Sequence, residues 1–119
     1  MKIYLLLLAA LFAFACVQGD YPLSDEEYIA IAGETEEAQA FLEKYPGATV
    51  SVERSGSLGV AYTLEDADNL LRLKVGIDPS NNEVDKFIVQ CYEGGAVTPS
   101  LILMSDVTTY IQNSELGRC

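Results

Sequence analysis

The sequence predicts an α+β domain: one N-terminal amphipathic helix packed on a four-stranded antiparallel sheet, followed by a short C-terminal helix. Three observations carry that expectation. Apolar residues between Tyr28 and Tyr45 recur at steps of three and four, the spacing of one helical face. A Pro46-Gly47 pair then stops the helix. Beyond it, apolar residues alternate with period two in successive runs separated by clusters of turn-forming residues, the pattern of an antiparallel meander.

The chain begins with Met1-Lys2, a nearly unbroken apolar run over residues 3–15, and the small or neutral Val17-Gln18-Gly19 before Asp20. This is the tripartite form of a secretory signal peptide, expected to cover residues 1–19. The run falls short of the roughly 20 apolar residues that a spanning helix needs. Ala13-Phe14-Ala15-Cys16 loosely resembles a bacterial lipobox, in which Cys16 would carry lipid, although Phe14 fits that pattern poorly. The expected mature chain, residues 20–119, is one small domain without a membrane segment.

Ser24-Asp25-Glu26-Glu27 fits a capping box that opens the helix. The apolar stripe then takes Tyr28, Ile31, Thr35, Ala38, Phe41, Leu42 and Tyr45, with Glu34, Glu36, Glu37 and Glu43 opposite. Gly33 lies off the stripe, so it either weakens one long helix or ends a first helix before a second that starts near Thr35. Four strands are expected over residues 48–54, 58–64, 70–77 and 84–92. Ser55-Gly56-Ser57 turns the first into the second, an acidic loop at residues 65–69 follows, and Asp78-Pro79-Ser80-Asn81-Asn82 turns the third into the fourth. Leu101-Ile102-Leu103-Met104 reads as a short strand or a helix start, and a C-terminal helix is expected over residues 105–113.

The full chain has a net charge of −11. Without Lys2 it carries six basic against eighteen acidic residues, a net −12. Such a surface repels nucleic acid and anionic lipid, and it attracts a cationic protein partner or dissolved cations. Arg72 and Lys74 share one face of the third strand, and with Lys86 on the fourth they form a basic spot unless acids such as Glu53 or Asp85 pair with them across the strands.

The chain contains no His, which removes His-based triads, Cys-His dyads and His-ligated zinc sites. Ser55-Gly56-Ser57-Leu58-Gly59 has the wrong spacing for a nucleophile elbow, and there is no phosphate-cradling loop. No catalytic residue is assigned. Asp66, Asp68 and Asn69 superficially match the start of a calcium loop, but Leu70 and Leu71 stand where an oxygen ligand and Gly are needed, so no metal site is assigned.

Cys91 and Cys119 are the two cysteines of the expected mature chain, and one internal disulfide is the simplest use of them in an oxidising compartment. The rival is an intermolecular Cys119 bond with Cys91 a buried thiol. The internal bond closes a loop of about 28 residues and stabilises by roughly 3.5 kcal/mol on the chain-entropy account.

FLEKYPGATV followed by an alternating strand, and the later VGIDPSNNEV, resemble the PepSY type of small secreted domain. The matching residues are Tyr45, Pro46, Gly47, Ala48 and Val50, then Val75, Ile77, Asp78, Pro79, Glu83 and Val84. Both motifs are turn signals and together span about half of the mature chain. Asn82 stands near the place of the family's Gly, and the family's usual second helix between strand pairs is not evident. A cystatin-like layout is a close neighbour, without a recognisable Q-x-V-x-G loop. The resemblance implies a non-enzymatic secreted domain, in some members a protease-inhibiting propeptide module, and carries over no catalytic residue.

The expected function is a secreted, monomeric, cofactor-free module that binds or inhibits a protein partner, with Ser55, Gly56 and Ser57 as the candidate partner loop. The alternatives are a carrier of a small apolar ligand, held between helix and sheet by Phe41, Tyr62 and Phe87, and a low-affinity cation-binding acidic protein.

Overall fold

The computed structural model describes residues 21–94, 100–102 and 107–118. The expected signal peptide, Cys16 and Cys119 lie outside the described residues. The elements run α1 (Asp25–Gly33), α2 (Glu36–Lys44), β1 (Thr49–Glu53), β2 (Gly59–Glu65), β3 (Leu70–Asp78), β4 (Glu83–Tyr92), β5 (Ser100–Ile102) and α3 (Val107–Asn113). This is an α+β fold with an antiparallel meander of order β1-β2-β3-β4-β5.

Of the two readings that Gly33 left open, the pair of helices is the one that forms, with the second beginning just after Thr35. The capping box forms at Ser24: its hydroxyl accepts from the Glu27 N–H at 3.2 Å, and the Glu27 carboxylate accepts from the Ser24 N–H at 3.2 Å. Thr35 makes the break between the helices. Its Oγ1 donates to the Ala32 carbonyl at 2.7 Å, ending α1, and accepts from the Ala38 N–H at 3.2 Å, opening α2. From the last turn of α1, Ala32 is fully buried in the core and Ile31 packs against it, partly buried. The helix before Pro46 ends at Lys44.

The strands keep the alternation read from the sequence. Val50, Tyr62, Leu73 and Val89 form one rung of the core face, and Val52, Val60, Val75 and Phe87 the next. Against these pack Tyr28 and Ala32 of α1, Ala38 and Phe41 of α2, and Val107 and Ile111 of α3. The register shifts between Gly76 and Ile77, a bulge that precedes the turn into β4. In that turn Asn82 takes φ +59°, a left-handed position that Asn tolerates better than most residues. Beyond β4, the short strand Ser100–Ile102 adds a fifth to the expected four, pairing with residues 89–91.

The C-terminal helix begins at Val107 among the described residues and docks on α2. Three carbonyls at its end, those of Ile111 (3.2 Å), Gln112 (2.7 Å) and Ser114, accept from the Lys44 ammonium. Tyr45 Oη donates to the Ser114 carbonyl at 2.8 Å and meets Ser114 Oγ at 2.9 Å. The last turn of α2 and Tyr45 thus add to the capping that α3 makes itself, where Ser114 Oγ donates to the Ile111 carbonyl at 2.7 Å and the Asn113 amide to the Thr109 carbonyl at 3.0 Å.

Candidate functional site

With all three helices contributing to one core, the opposite face of the sheet carries no helix among the described residues. Its rungs are Thr49-Thr63-Arg72-Gln90, Ser51-Ala61-Lys74-Ile88 and Glu53-Gly59-Gly76-Lys86. The candidate partner loop Ser55-Gly56-Ser57 stands at the end of this face, with all three residues exposed.

The loop is held from both flanks. Tyr21 Oη donates to the Gly56 carbonyl at 3.1 Å. Lys74 Nζ donates to the Ser57 carbonyl at 3.0 Å and to Ser57 Oγ at 3.3 Å. Gly56 sits at φ +78°, which a Cβ would strain. Leu58, the next residue, is buried and accepts from the Ile77 N–H at 3.0 Å. The side chains of Ser55 and Ser57 therefore project from a backbone anchored on three sides.

One of those anchors depends on Arg54. Its guanidinium donates to the carbonyls of Tyr21 (3.1 Å) and Leu23 (3.0 Å) and to the Asp25 carboxylate (2.6 and 3.1 Å). It also lies 5.2 Å over the Tyr28 ring. This fastens residues 21–23 along the end of the sheet and brings Tyr21 to the loop.

On the open face, Glu53 accepts from Lys74 at 3.0 Å and lies 3.7 Å from Arg72. Cross-strand pairing with Glu53 is therefore present. Arg72 Nε also donates to Thr63 Oγ1 at 3.2 Å. Glycines make room for the lysine stems: a Cβ on Gly59 would lie 2.8 Å from Lys74 Cε, and one on Gly76 would lie 2.6 Å from Lys86 Cγ.

The residues of the candidate apolar pocket all belong to the core or its margin. Phe41 and Tyr62 are both buried in the core with ring centroids 6.3 Å apart, while Phe87 packs at its margin, half-buried. Tyr62 Oη has no hydrogen-bond partner among the described residues, and burial pushes its pKa up. Tyr110 Oη is likewise unpartnered, and its pKa is raised first by burial and then by the nearby Tyr45.

The acidic loop is occupied by its own backbone. Asp66 Oδ1 accepts from the N–H groups of Asp68 and Asn69, both at 2.9 Å. The Asn69 amide donates to both Asp66 carboxylate oxygens at 3.1 Å. The Asp68 N–H and the Asn69 side chain hold the Asp66 carboxyl below its ordinary value. Ser80 does the same for Asp78 through its hydroxyl (2.7 Å) and N–H (2.9 Å). Among the described residues, no three Cys, Asp or Glu side chains are grouped to hold a metal ion, and no helix is long and apolar enough to cross a membrane.

Cys91 is buried on the core face. Sequence reading missed the roles of Tyr21, Lys44, Arg54 and Ser114. The one available signal was a basic residue in the last helical turn, at Lys44. Comparison with protein-family models, with curated proteins and with solved structures finds no match to this chain.

Proposed function

We propose that the chain is a secreted, non-catalytic module that binds or inhibits a protein partner through the Ser55-Gly56-Ser57 loop and the adjoining open sheet face. The observation that carries this reading is the loop itself, exposed in its side chains yet fixed in its backbone by Tyr21 and Lys74. A loop already held in one conformation loses little freedom on binding, so its contacts are not spent on ordering it. Rigid scaffolds that present such loops are a general way of building recognition surfaces. The resemblance to the PepSY type and the His-free sequence point the same way.

Export by the N-terminal apolar segment and an internal Cys91–Cys119 bond complete the reading. That bond ties the end of the chain, beyond α3, to β4. Measuring a panel of extracellular proteases with and without the purified chain tests the inhibitory form. At least one member is expected to slow, and Ser57→Arg is expected to weaken the effect. Unchanged rates across the panel count against inhibition.

A further inference from the structure

β1 forms one edge of the sheet, with β2 on one side and no strand on the other among the described residues. The ladder to β2 is the only hydrogen bonding that the backbone of residues 49–53 makes among the described residues. The N–H and C=O groups of alternate residues therefore face outward, a template that an added strand satisfies. The usual protections of such an edge are missing. The five residues TVSVE include no Pro, Lys or Arg, and their register runs unbroken from Thr49↔Thr63 to Glu53↔Gly59.

The side chains of β1 name the strand that fits. Val50 and Val52 lie on the core face but are half-buried, while their β2 neighbours Tyr62 and Val60 are fully buried. Burial of the core face thus stops short where the next strand would begin. On the other face Thr49 and Ser51 are exposed. The order Thr-Val-Ser-Val-Glu keeps its pattern when reversed, with polar residues at the ends and centre and Val between them. Laid antiparallel on itself about Ser51, the strand sets Val50 of one copy against Val52 of the other, Ser51 against Ser51, and Thr49 against Glu53. Both valines gain apolar cover. The one charge of the strand meets a threonine rather than a like charge, and Lys74 already neutralises it within its own chain at 3.0 Å.

Going beyond the monomer expected from the sequence, we propose that two copies of this chain pair through β1, antiparallel about Ser51, joining two sheets into one across a two-fold axis. The contact is self-complementary, each residue meeting on the second copy the residue that meets it in return, and this selects a second copy over an unrelated strand. One Ser55-Gly56-Ser57 loop stands at each end of the shared edge, and the inference does not rest on the partner reading above. The net charge of −11 on each chain opposes the pairing. That repulsion is screened by salt, whereas backbone pairing and valine burial are not, so association strengthens as salt rises.

Sedimentation velocity of the purified chain over increasing concentration tests the proposal. A reversible dimer is expected, at least about threefold tighter at about 0.5 M than at about 0.05 M NaCl. Ser51→Glu, at an exposed position, sets two carboxylates opposite each other and is expected to weaken the dimer about fivefold or more. Gln112→Glu on α3 adds the same charge away from the edge and is expected to change it less than about twofold. Ser51→Cys with mild diamide oxidation is expected to give a dimer linked through position 51, since opposite residues of an antiparallel pair hold their Cα atoms about 4.5–5.5 Å apart, within disulfide reach. A chain that stays monomeric at about 1 mM and high salt overturns the proposal. So does a dimer weakened equally by the two charge substitutions, a Ser51→Cys chain that never links through position 51, or a native dimer that reduction disperses, which is the Cys119-linked form.

Discussion

At the scale of single residues, the Arg54 guanidinium does more than form a surface ion pair. The pair with Asp25 is largely exposed and is worth at most about 1 kcal/mol alone. Its bonds to the Tyr21 and Leu23 carbonyls add directional contacts to backbone that is otherwise free of secondary structure. Arg54→Ala is expected to cost about 1–2 kcal/mol and, more specifically, to raise hydrogen exchange at residues 21–24 and 56–57 together. Exchange that rises at the first segment alone would show that Tyr21 does not hold the loop.

Tyr62 poses the opposite case, a buried hydroxyl with no partner among the described residues. An unpaired buried hydroxyl costs about 1–3 kcal/mol, so Tyr62→Phe is expected to stabilise by about 1 kcal/mol, a rise of several degrees in Tm. Burial raises the Tyr62 pKa above its ordinary 10.0. The unfolded chain therefore ionises first as pH climbs, and stability falls above about pH 10. The Phe variant is expected to lose less stability there than the native chain, as read by denaturant titration across pH 9–11.

Between elements, α3 is held through Lys44. Its ammonium donates to carbonyls of Ile111, Gln112 and Ser114, where the negative end of the helix dipole lies. Lys44→Ala is expected to cost about 1–2 kcal/mol and to loosen residues 107–114 before the sheet, a separation that residue-resolved hydrogen exchange would detect. Equal loosening everywhere would contradict a local cap.

The elements also show what a single sequence makes legible. Capping at Ser24, the stop at Pro46-Gly47 and the turn at Asp78-Pro79 are set by residues within a few positions of one another, so they could be read directly. The break at Thr35 stood as one of two options because Gly33 alone does not decide between them. The hydroxyl of Thr35, serving both helices, does. The contacts of Lys44 with Ser114 and of Tyr21 with Gly56 span 70 and 35 positions. No local pattern signals such pairs, since any lysine or tyrosine would look the same. That Arg72 and Lys74 share one face was legible because strand side chains alternate with period two. That face's lack of a helical cover was not, because either face of a strand pattern can be the buried one.

At the scale of the whole molecule, the helices bury one side of the meander, and the other carries no helix among the described residues. The Cys91–Cys119 bond would add a covalent tie between β4 and the chain end. If internal, reduction leaves the mass of the non-reduced monomer raised by two hydrogens and lowers stability by about 2–4 kcal/mol. If the bond joins two chains, reduction halves the mass.

The central claim is that partners meet the chain at the Ser55-Gly56-Ser57 loop and the open sheet face. Site-specific photo-cross-linking in extracellular fluid tests it most directly, with the cross-linker placed in turn at Ser57 and at Glu36 on the helical side. The account predicts a discrete cross-linked protein from position 57 and none from position 36. A product from position 36 alone, or identical products from both positions, would contradict it.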